Sequence, residues 1–502
     1  MVIARELALR HWRVTILERS HRLGGKAGSD VHNGWRVEHG YHVFPRWYPN
    51  VRAIVDRIGV KLVDFDGYHV LRPGEFPRTI SVLAPSGLRA IWHDMFRGIV
   101  PWYHMALSFY SVIDIASRPL SEKRMLDQVS HVGLLRGKWY ISDTVAELGH
   151  ENLLKASAIP AYDASAMTVR RMMGYWIRQP SPFLSVLPGD LQEVFIEPQV
   201  RELEALGVEI RYGAEVTGVS MRGGAVEGIE LSDGTSATGN VFALCVPFEV
   251  ARRWVNGELY SADPELGNMH FLEAQPMAAL HLRLRTRLPE FPREHVFLHG
   301  GRYGLSFIDL TQTWKDAGPG TVLSFISSNY GPLSAVDPVA AKDALLEEIR
   351  EYLPIPDSEI DAWHLNANVN VPLFINTIGA WANRPRPRTR AKNLYLAGDF
   401  VKNEIDLACM EGAVFAGLEC SRSILRDQGA AAPLPVAVVP PSWPRALMVA
   451  LRIGMIPAVA VLRAIAWCED TFFPKRPDYS EVRKRGAPRL QSDPRPPRKR
   501  PP

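Results

Sequence analysis

Apolar and polar residues change period along the chain, and each change marks an element. Residues 1–10 (MVIARELALR) have the apolar spacing of an amphipathic helix, with Ile3 and Leu7 one turn apart. Residues 13–17 predict a strand that ends on the acid Glu18, and a glycine-rich loop runs from Arg22 to Gly28. GWRVEHGYHVF (34–44) alternates like a strand entering a turn, and PNVRAIVDRIGV (49–60) reads as a helix closed by Gly59. From about 80 to 194 the pattern is largely helical, rich in Trp, Tyr and Met, and without an internal repeat. A second run begins near 198 with helix PQVRELEALG, strand VEIRYGAEVTGVSMRGG and strand VEGIELSDGTSATGNVFALCVP, whose Gly and Asp turns suggest a meander. Residues 275–286 and 321–327 predict strands of another sheet, and Glu348 falls on a predicted surface helix. NLYLAGDF (393–400) is again strand then turn, followed by an Ala- and Gly-rich helix over 409–425. A Pro/Ala linker (429–444), an apolar stretch (446–467) and a Pro/Arg tail come last.

At 502 residues the chain is too long for one ordinary core, so more than one domain is expected. Its four cysteines are scattered and lack metal-ligand spacing, which fits a reducing, cytoplasmic setting and no metal site. Arg5, Glu6, Arg10 and Arg13 break up any apolar signal region. The formal charge of +4 is uneven: residues 475–502 hold ten Lys/Arg against three Asp/Glu, leaving the rest slightly acidic. That argues against a nucleic-acid groove in the body. The apolar stretch carries Arg452, Pro457 and Arg463, which disfavours a spanning helix. An interfacial helix or hairpin flanked by Trp443, Trp467 and Phe472 fits better, with the basic tail drawn to anionic lipid. The expectation is peripheral membrane association; the competing reading is a helix docked on the protein.

Candidate chemistry gathers at three places. Glu18, ending a strand, can accept hydrogen bonds from a ribose diol. LGGK (23–26) lets backbone approach a diphosphate at Gly24 and Gly25, with Lys26 as a cation beside it. Asp399 can accept a ribityl hydroxyl, while the helix starting near Met410 aims its amides at the diphosphate. The ribose acid of a dinucleotide fold stands roughly 20 residues beyond the first turn of a GxGxxG fingerprint. Counting back from Glu18 puts the last of those glycines immediately before Met1, so a chain starting after its phosphate loop is expected.

Together VTILE, LGGKAGS, GYHVF, YPNV and LYLAGDFVKNEIDLACMEGAVFAG resemble the FAD-dependent phytoene desaturases and their relatives. These include zeta-carotene desaturase and hydroxysqualene dehydroxylase, within the amine-oxidase-like flavoproteins. The resemblance covers about residues 1–425. It implies an α/β fold: a Rossmann-like FAD-binding domain, lacking its first strand here, with an inserted α+β substrate domain. The FAD-binding parts would be 1–75, 195–255 and 390–428, the substrate domain 76–194 and 256–389, and 429–502 a linker, apolar helix and basic tail. By the same resemblance Glu18 holds the adenosine ribose, and Gly24, Gly25 and Lys26 lie along the diphosphate. Glu215 and Val216 reach the adenine by backbone. Gly398, Asp399, Met410 and Glu411 flank the diphosphate and ribityl chain. His39, Gly40, Tyr41 and His42 run past the isoalloxazine, and Tyr41, His42 and Arg46 are catalytic candidates by position. Pro45-Arg46-Trp47 replaces the family's Phe-Gly-Ala run, and LQEVFIEP lacks the arginine that plant-type members carry before the proline matching Pro198. The implied activity is desaturation or dehydrogenation of a polyisoprenoid, carotenoid- or squalene-like, with a quinone or oxygen as electron acceptor. Alternatives are a flavin amine oxidase, or a non-redox isoprenoid- or lipid-binding protein on the same fold.

Overall fold

Helix α1 (Val2–Ala8) buries Ile3, Ala4, Leu7 and Ala8 and leads into strand β1 (Thr15–Glu18). The computed structural model describes the chain apart from residues 84–87, 120–122, 178–181, 289–290, 316, 431–434 and 473–502. The basic tail is therefore outside the described residues. A hairpin of β2 (Ser29–His32) and β3 (Trp35–Glu38) precedes α2 (Pro49–Arg57). Its proline stands in the first turn, where a missing N–H has no helical partner to lose, and Gly59 at φ +73° ends it. Then come β4 (Gly67–Leu71), β5 (Ile80–Leu83), α3 (Leu88–Phe96) and α4 (Trp102–Ser117). Further helices reach α5 (Glu197–Ala205) and β6 (Glu209–Tyr212). The meander β7 (Val216–Arg222) and β8 (Ala225–Leu231) follows, before β9 (Phe242–Leu244) and the single turn α6 (Phe248–Ala251). Beyond them lie β10 (Ala278–Leu284), β11 (Val296–Leu298), β12 (Leu305–Asp309), β13 (Thr321–Ser327), α7 (Pro338–Arg350) and β14 (Ile360–Ala367). The chain returns through β15 (Leu394–Leu396) and α8 (Met410–Asp427) to two last helices, α9 (Arg445–Gly454) and α10 (Ile456–Phe472).

Two parallel strand pairs form the Rossmann-like part: β1 with β6, and β9 with β15. Pro387–Thr389 covers the second edge of β15, where Leu396 N–H donates to Pro387 O at 2.8 Å. Helices α1, α2, α5 and α8 pack around these pairs through buried Val51, Ile54, Leu203 and Phe415. The stretch 208–224, expected as one strand, divides at Gly213 (φ +70°). Its first half pairs with β1 and its second enters the meander.

The other unit is a seven-stranded sheet in the order β14-β10-β13-β12-β11-β4-β5. One face, with Leu280, Phe307 and Phe325, packs on Leu345, Leu346 and Ile349 of α7. Its opposite face meets the segment after β3. Strand β4 belongs to this sheet, although the sequence grouped residues up to 75 with the nucleotide-binding part. Conversely, Leu259, Leu266, Met269 and Leu272, grouped with the substrate domain, pack with the parallel strands and α8. Apolar side chains there follow the nearest open core rather than chain order. Glu348 is buried, not at the surface: its carboxylate accepts from the amides of Arg302 (2.8 Å) and Tyr303 (3.2 Å).

Candidate functional site

Parallel strands bind ligands beyond their carboxyl ends, and several of the expected residues converge there. Glu18 closes β1; one carboxylate oxygen accepts from Ser20 N–H at 2.8 Å, and its carbonyl accepts from Ala214 N–H at 2.9 Å. Val216 opens β7 two residues later, so the expected ribose and adenine contacts stand side by side. The amide and carbonyl of Glu215 are both taken inside the fold, by Gly213 O and Ser232 N–H. In the loop after β1, Gly24 has φ +110° and Gly25 φ +56°. A Cβ on Gly25 would meet nothing within 4 Å, so that backbone faces open space. Arg22 stiffens the loop by pairing with Asp30 at 2.7 Å and donating to Gly25 O at 3.1 Å. Lys26 donates to Pro372 O, and its charge lies in the field of both Asp399 and Glu249.

Gly398 and Asp399 follow β15 on the same edge. Burial raises the Asp399 pKa, and Lys26 and Arg384 pull it back. Arg384 is buried and holds this turn from beneath. It donates to the carbonyls of Asp399 (2.9 Å), Phe400 (2.9 Å) and Val401 (2.7 Å) and pairs with buried Asp406 at 2.6 Å. Met410 starts α8, and the Cys409 sulfur accepts from Gly412 N–H at 3.4 Å.

The segment after β3 lies across the free face of the seven-stranded sheet. His39 Nδ1 meets Asn368 Oδ1 at 2.8 Å, and the Tyr41 and Ser306 hydroxyls are 2.9 Å apart. His42 Nδ1–H donates to Gly40 O at 2.8 Å, and burial lowers the His42 pKa to about 4, leaving a neutral ring. A Cβ on Gly40 (φ +147°) would press on Ile326 at 3.2 Å, so glycine permits the close approach. A narrow cleft of about 10 Å³ runs between Tyr41, His42, Leu187, Ile308 and Trp314. Aromatic rings extend the wall: Tyr41 lies 6.3 Å from His295, which stacks on Tyr68 at 5.6 Å, with Phe297 4.7 Å and Phe183 6.1 Å from Tyr68.

Two expected residues stand elsewhere. Arg46 is exposed at the tip of a turn closed by Tyr48 N–H to Pro45 O, so the structure does not bring it to the cleft. Glu411 is completely buried and faces the first turn of α2. It accepts from Asn50 N–H (3.1 Å), Asn50 Nδ2 (2.5 Å) and Val51 N–H (2.9 Å). Its carboxylate serves orphan helix amides rather than the nucleotide edge.

Sequence reasoning passed over Glu38, Glu249 and Arg384. Glu38 lines the cleft, accepts from Leu191 N–H at 2.8 Å, and is pushed by burial to about 8, so it is neutral near pH 7. Its signal was an acid at an inward position of an alternating strand. Glu249 follows β9 in the same way that Asp399 follows β15, which was its signal. Arg384 had none, because its partners are carbonyls.

A family described as "Flavin containing amine oxidoreductase" matches residues 1–425. The chain is 23% identical to the 15-cis-phytoene desaturase of Solanum lycopersicum, with 82% of this chain and 73% of that one covered. It is 25% identical to the carotenoid phi-ring synthase of Streptomyces griseus, covering 84% and 85%. A redesigned putrescine oxidase shares the fold with a TM-score of 0.64 at 15% identity, over 84% of this chain and 96% of that one.

Proposed function

The chain belongs to the flavin-containing amine oxidoreductase family, and from that premise we propose that it desaturates or dehydrogenates a polyisoprenoid, carotenoid- or squalene-like. Its cofactor is FAD, and the residues present fit that group. Glycine backbone opens onto space at Gly25, an acid closes β1, and Glu249 and Asp399 face Lys26 beyond the strands. Glu18, Gly24, Gly25, Lys26, Gly398, Asp399 and Met410 would hold it. Bound flavin supplies the two-electron acceptor for an allylic C–H.

What this chain's own residues do is orient an apolar chain and exclude water. The observation that carries the reading is the apolar wall along this cleft, aliphatic at Leu187, Leu191 and Ile308 and aromatic at Tyr41, Trp314, Tyr68 and Phe297. Glu38 and His42 are both neutral near pH 7, and the Tyr41 hydroxyl is engaged by Ser306. An amine substrate enters as a cation, whereas burial favours the neutral form of Glu38, the carboxyl that lines this cleft. A non-redox carrier would have no use for a diphosphate-facing glycine loop. Both curated relatives are named for carotenoid reactions, which supports the same substrate class. The electrons leave to a quinone or oxygen.

Substrate of this kind is dissolved in lipid, and we place the protein at a membrane surface on the cytoplasmic side. No single helix among the described residues is long and apolar enough to cross a membrane; α9 and part of α10 pass that test only together, bent by 55°. Leu88, Trp92 and Phe96 repeat every four residues on α3, and Trp92 and Phe96 are 60% and 57% exposed. Helices α9 and α10 pack on α4, where Val459 and Ala466 cover Leu107 and Tyr110. His104 reaches Glu469 at 3.0 Å, so exposed Trp467 and Phe472 lie at the Trp102 end of α4. Phe96 and Trp102 are 6.3 Å apart, which supports one continuous apolar face.

The test is anaerobic mixing of the flavin-loaded protein with liposomes carrying phytoene- or squalene-type hydrocarbons, or with soluble amines. Bleaching of the flavin spectrum by a hydrocarbon alone is expected; bleaching by an amine alone would overturn the reading.

A further inference from the structure

We infer that Glu249 contacts the bound dinucleotide, donating a hydrogen bond from its neutral carboxyl to a phosphate oxygen. Its position comes from the parallel pair β9 and β15. Ala397 N–H donates to Leu244 O at 3.0 Å, so the segments leading to Glu249 and Asp399 leave the sheet together at its ligand-binding edge.

Glu249 is 9% exposed, and no other residue gives either carboxylate oxygen a hydrogen bond; only its own backbone N–H acts on the group. Buried polar groups are almost always paired, so an exception calls for a cause. The other buried glutamates among the described residues are paired: Glu38 with Leu191 N–H, Glu348 with Arg302 and Tyr303 N–H, and Glu411 with Asn50 and Val51 N–H. Each of those three closes a gap in the fold. Glu249 closes none, and it is the one facing the cofactor edge.

Burial is what raises the Glu249 pKa most, and the charges around it adjust that rise. Lys26 and Asp399 face Glu249 from the neighbouring loops, Arg252 stands on the following turn, and Arg384 acts on Asp399 from behind. Two carboxyls thus share Lys26 as their near cation. Burial raises the pKa of both, and an arriving diphosphate adds negative charge that raises them further. Burial and the diphosphate both push Glu249 toward its protonated form, whose O–H meets the anionic oxygen instead of repelling it.

Titrating apoprotein with FAD, read by quenching of flavin fluorescence between pH 6 and 9, tests this. The set is the unsubstituted protein, Glu249→Gln, Glu249→Ala and the exposed control Glu347→Ala. Affinity of the unsubstituted protein should fall by about tenfold per pH unit once the free carboxyl ionises. Glu249→Gln keeps an N–H donor and should bind with near-normal affinity and a flat profile, while Glu249→Ala should bind at least tenfold more weakly at pH 6. The inference is overturned if the Gln variant keeps the original pH slope, or if Ala binds normally. It is also overturned if affinity rises with pH and Gln matches Ala, since an ionised carboxylate would then be accepting from a hydroxyl. Absence of FAD binding by the unsubstituted protein at every pH would sink the cofactor assignment itself.

Discussion

Replacing Glu411 separates a structural carboxylate from a proposed cofactor ligand inside one motif. In Glu411→Ala, Asn50 N–H and Val51 N–H lose their acceptor in a site with no solvent access. Each unmet buried donor costs about 1–3 kcal/mol. Asn50 Nδ2 keeps Val438 O at 2.9 Å, so the gross loss is roughly 2–6 kcal/mol. Against this stands the burial of the carboxyl, whose pKa rises from 4.5 to about 7. A raised acid pKa means the folded state holds the proton longer, so its favourable contribution is full below pH 4.5 and is lost as pH rises toward 7. The window is worth about 3 kcal/mol. Glu411→Ala should therefore be most damaging near pH 5 and less so at pH 8. Urea unfolding followed by tryptophan fluorescence at both pH values, with flavin affinity measured alongside, reads this directly. Unchanged unfolding midpoints with a large loss of flavin affinity would refute the argument and return Glu411 to the cofactor edge.

Glu18→Ala and Asp399→Ala should each lower the flavin retained after gel filtration by tenfold or more, whereas exposed Glu347→Ala should not; equal absorbance ratios in all three would count against both assignments. On the membrane side, Trp92→Glu with Phe96→Glu should reduce sedimentation with anionic liposomes at low and high salt, because the loss is apolar rather than electrostatic. Ending the chain at Arg426 is a poorer perturbation, since it strips cover from Leu107 and Tyr110.

How far the sequence could be read depended on the distance over which a residue finds its partner. Glu18, the Gly24–Lys26 loop and the LYLAGD turn were legible because strand, turn and helix start lie within a few residues of one another. The strand at 208–224 was misread at Gly213, where a single positive φ sends one half to β1 and the other to the meander. Glu348 looked like a surface residue because α7 is amphipathic. The amides that draw it inward belong to Arg302 and Tyr303, some 45 residues earlier.

The same distinction explains why the MEGA motif could be located but only half interpreted. Met410 and Glu411 are adjacent, yet a helix sends successive side chains about 100° apart. One can start α8 at the nucleotide edge while the other turns to α2. Asn50 then ties the arrangement together: its backbone N–H and side-chain amide both meet Glu411, and its Oδ1 accepts from Val438 N–H at 3.0 Å. The linker toward α9 and α10 is thus fastened to the helix that packs behind the nucleotide site. The motif therefore carries two jobs, one starting α8 at the edge where we propose the cofactor binds and one anchoring the route to the proposed membrane face, and only the first has a local signature.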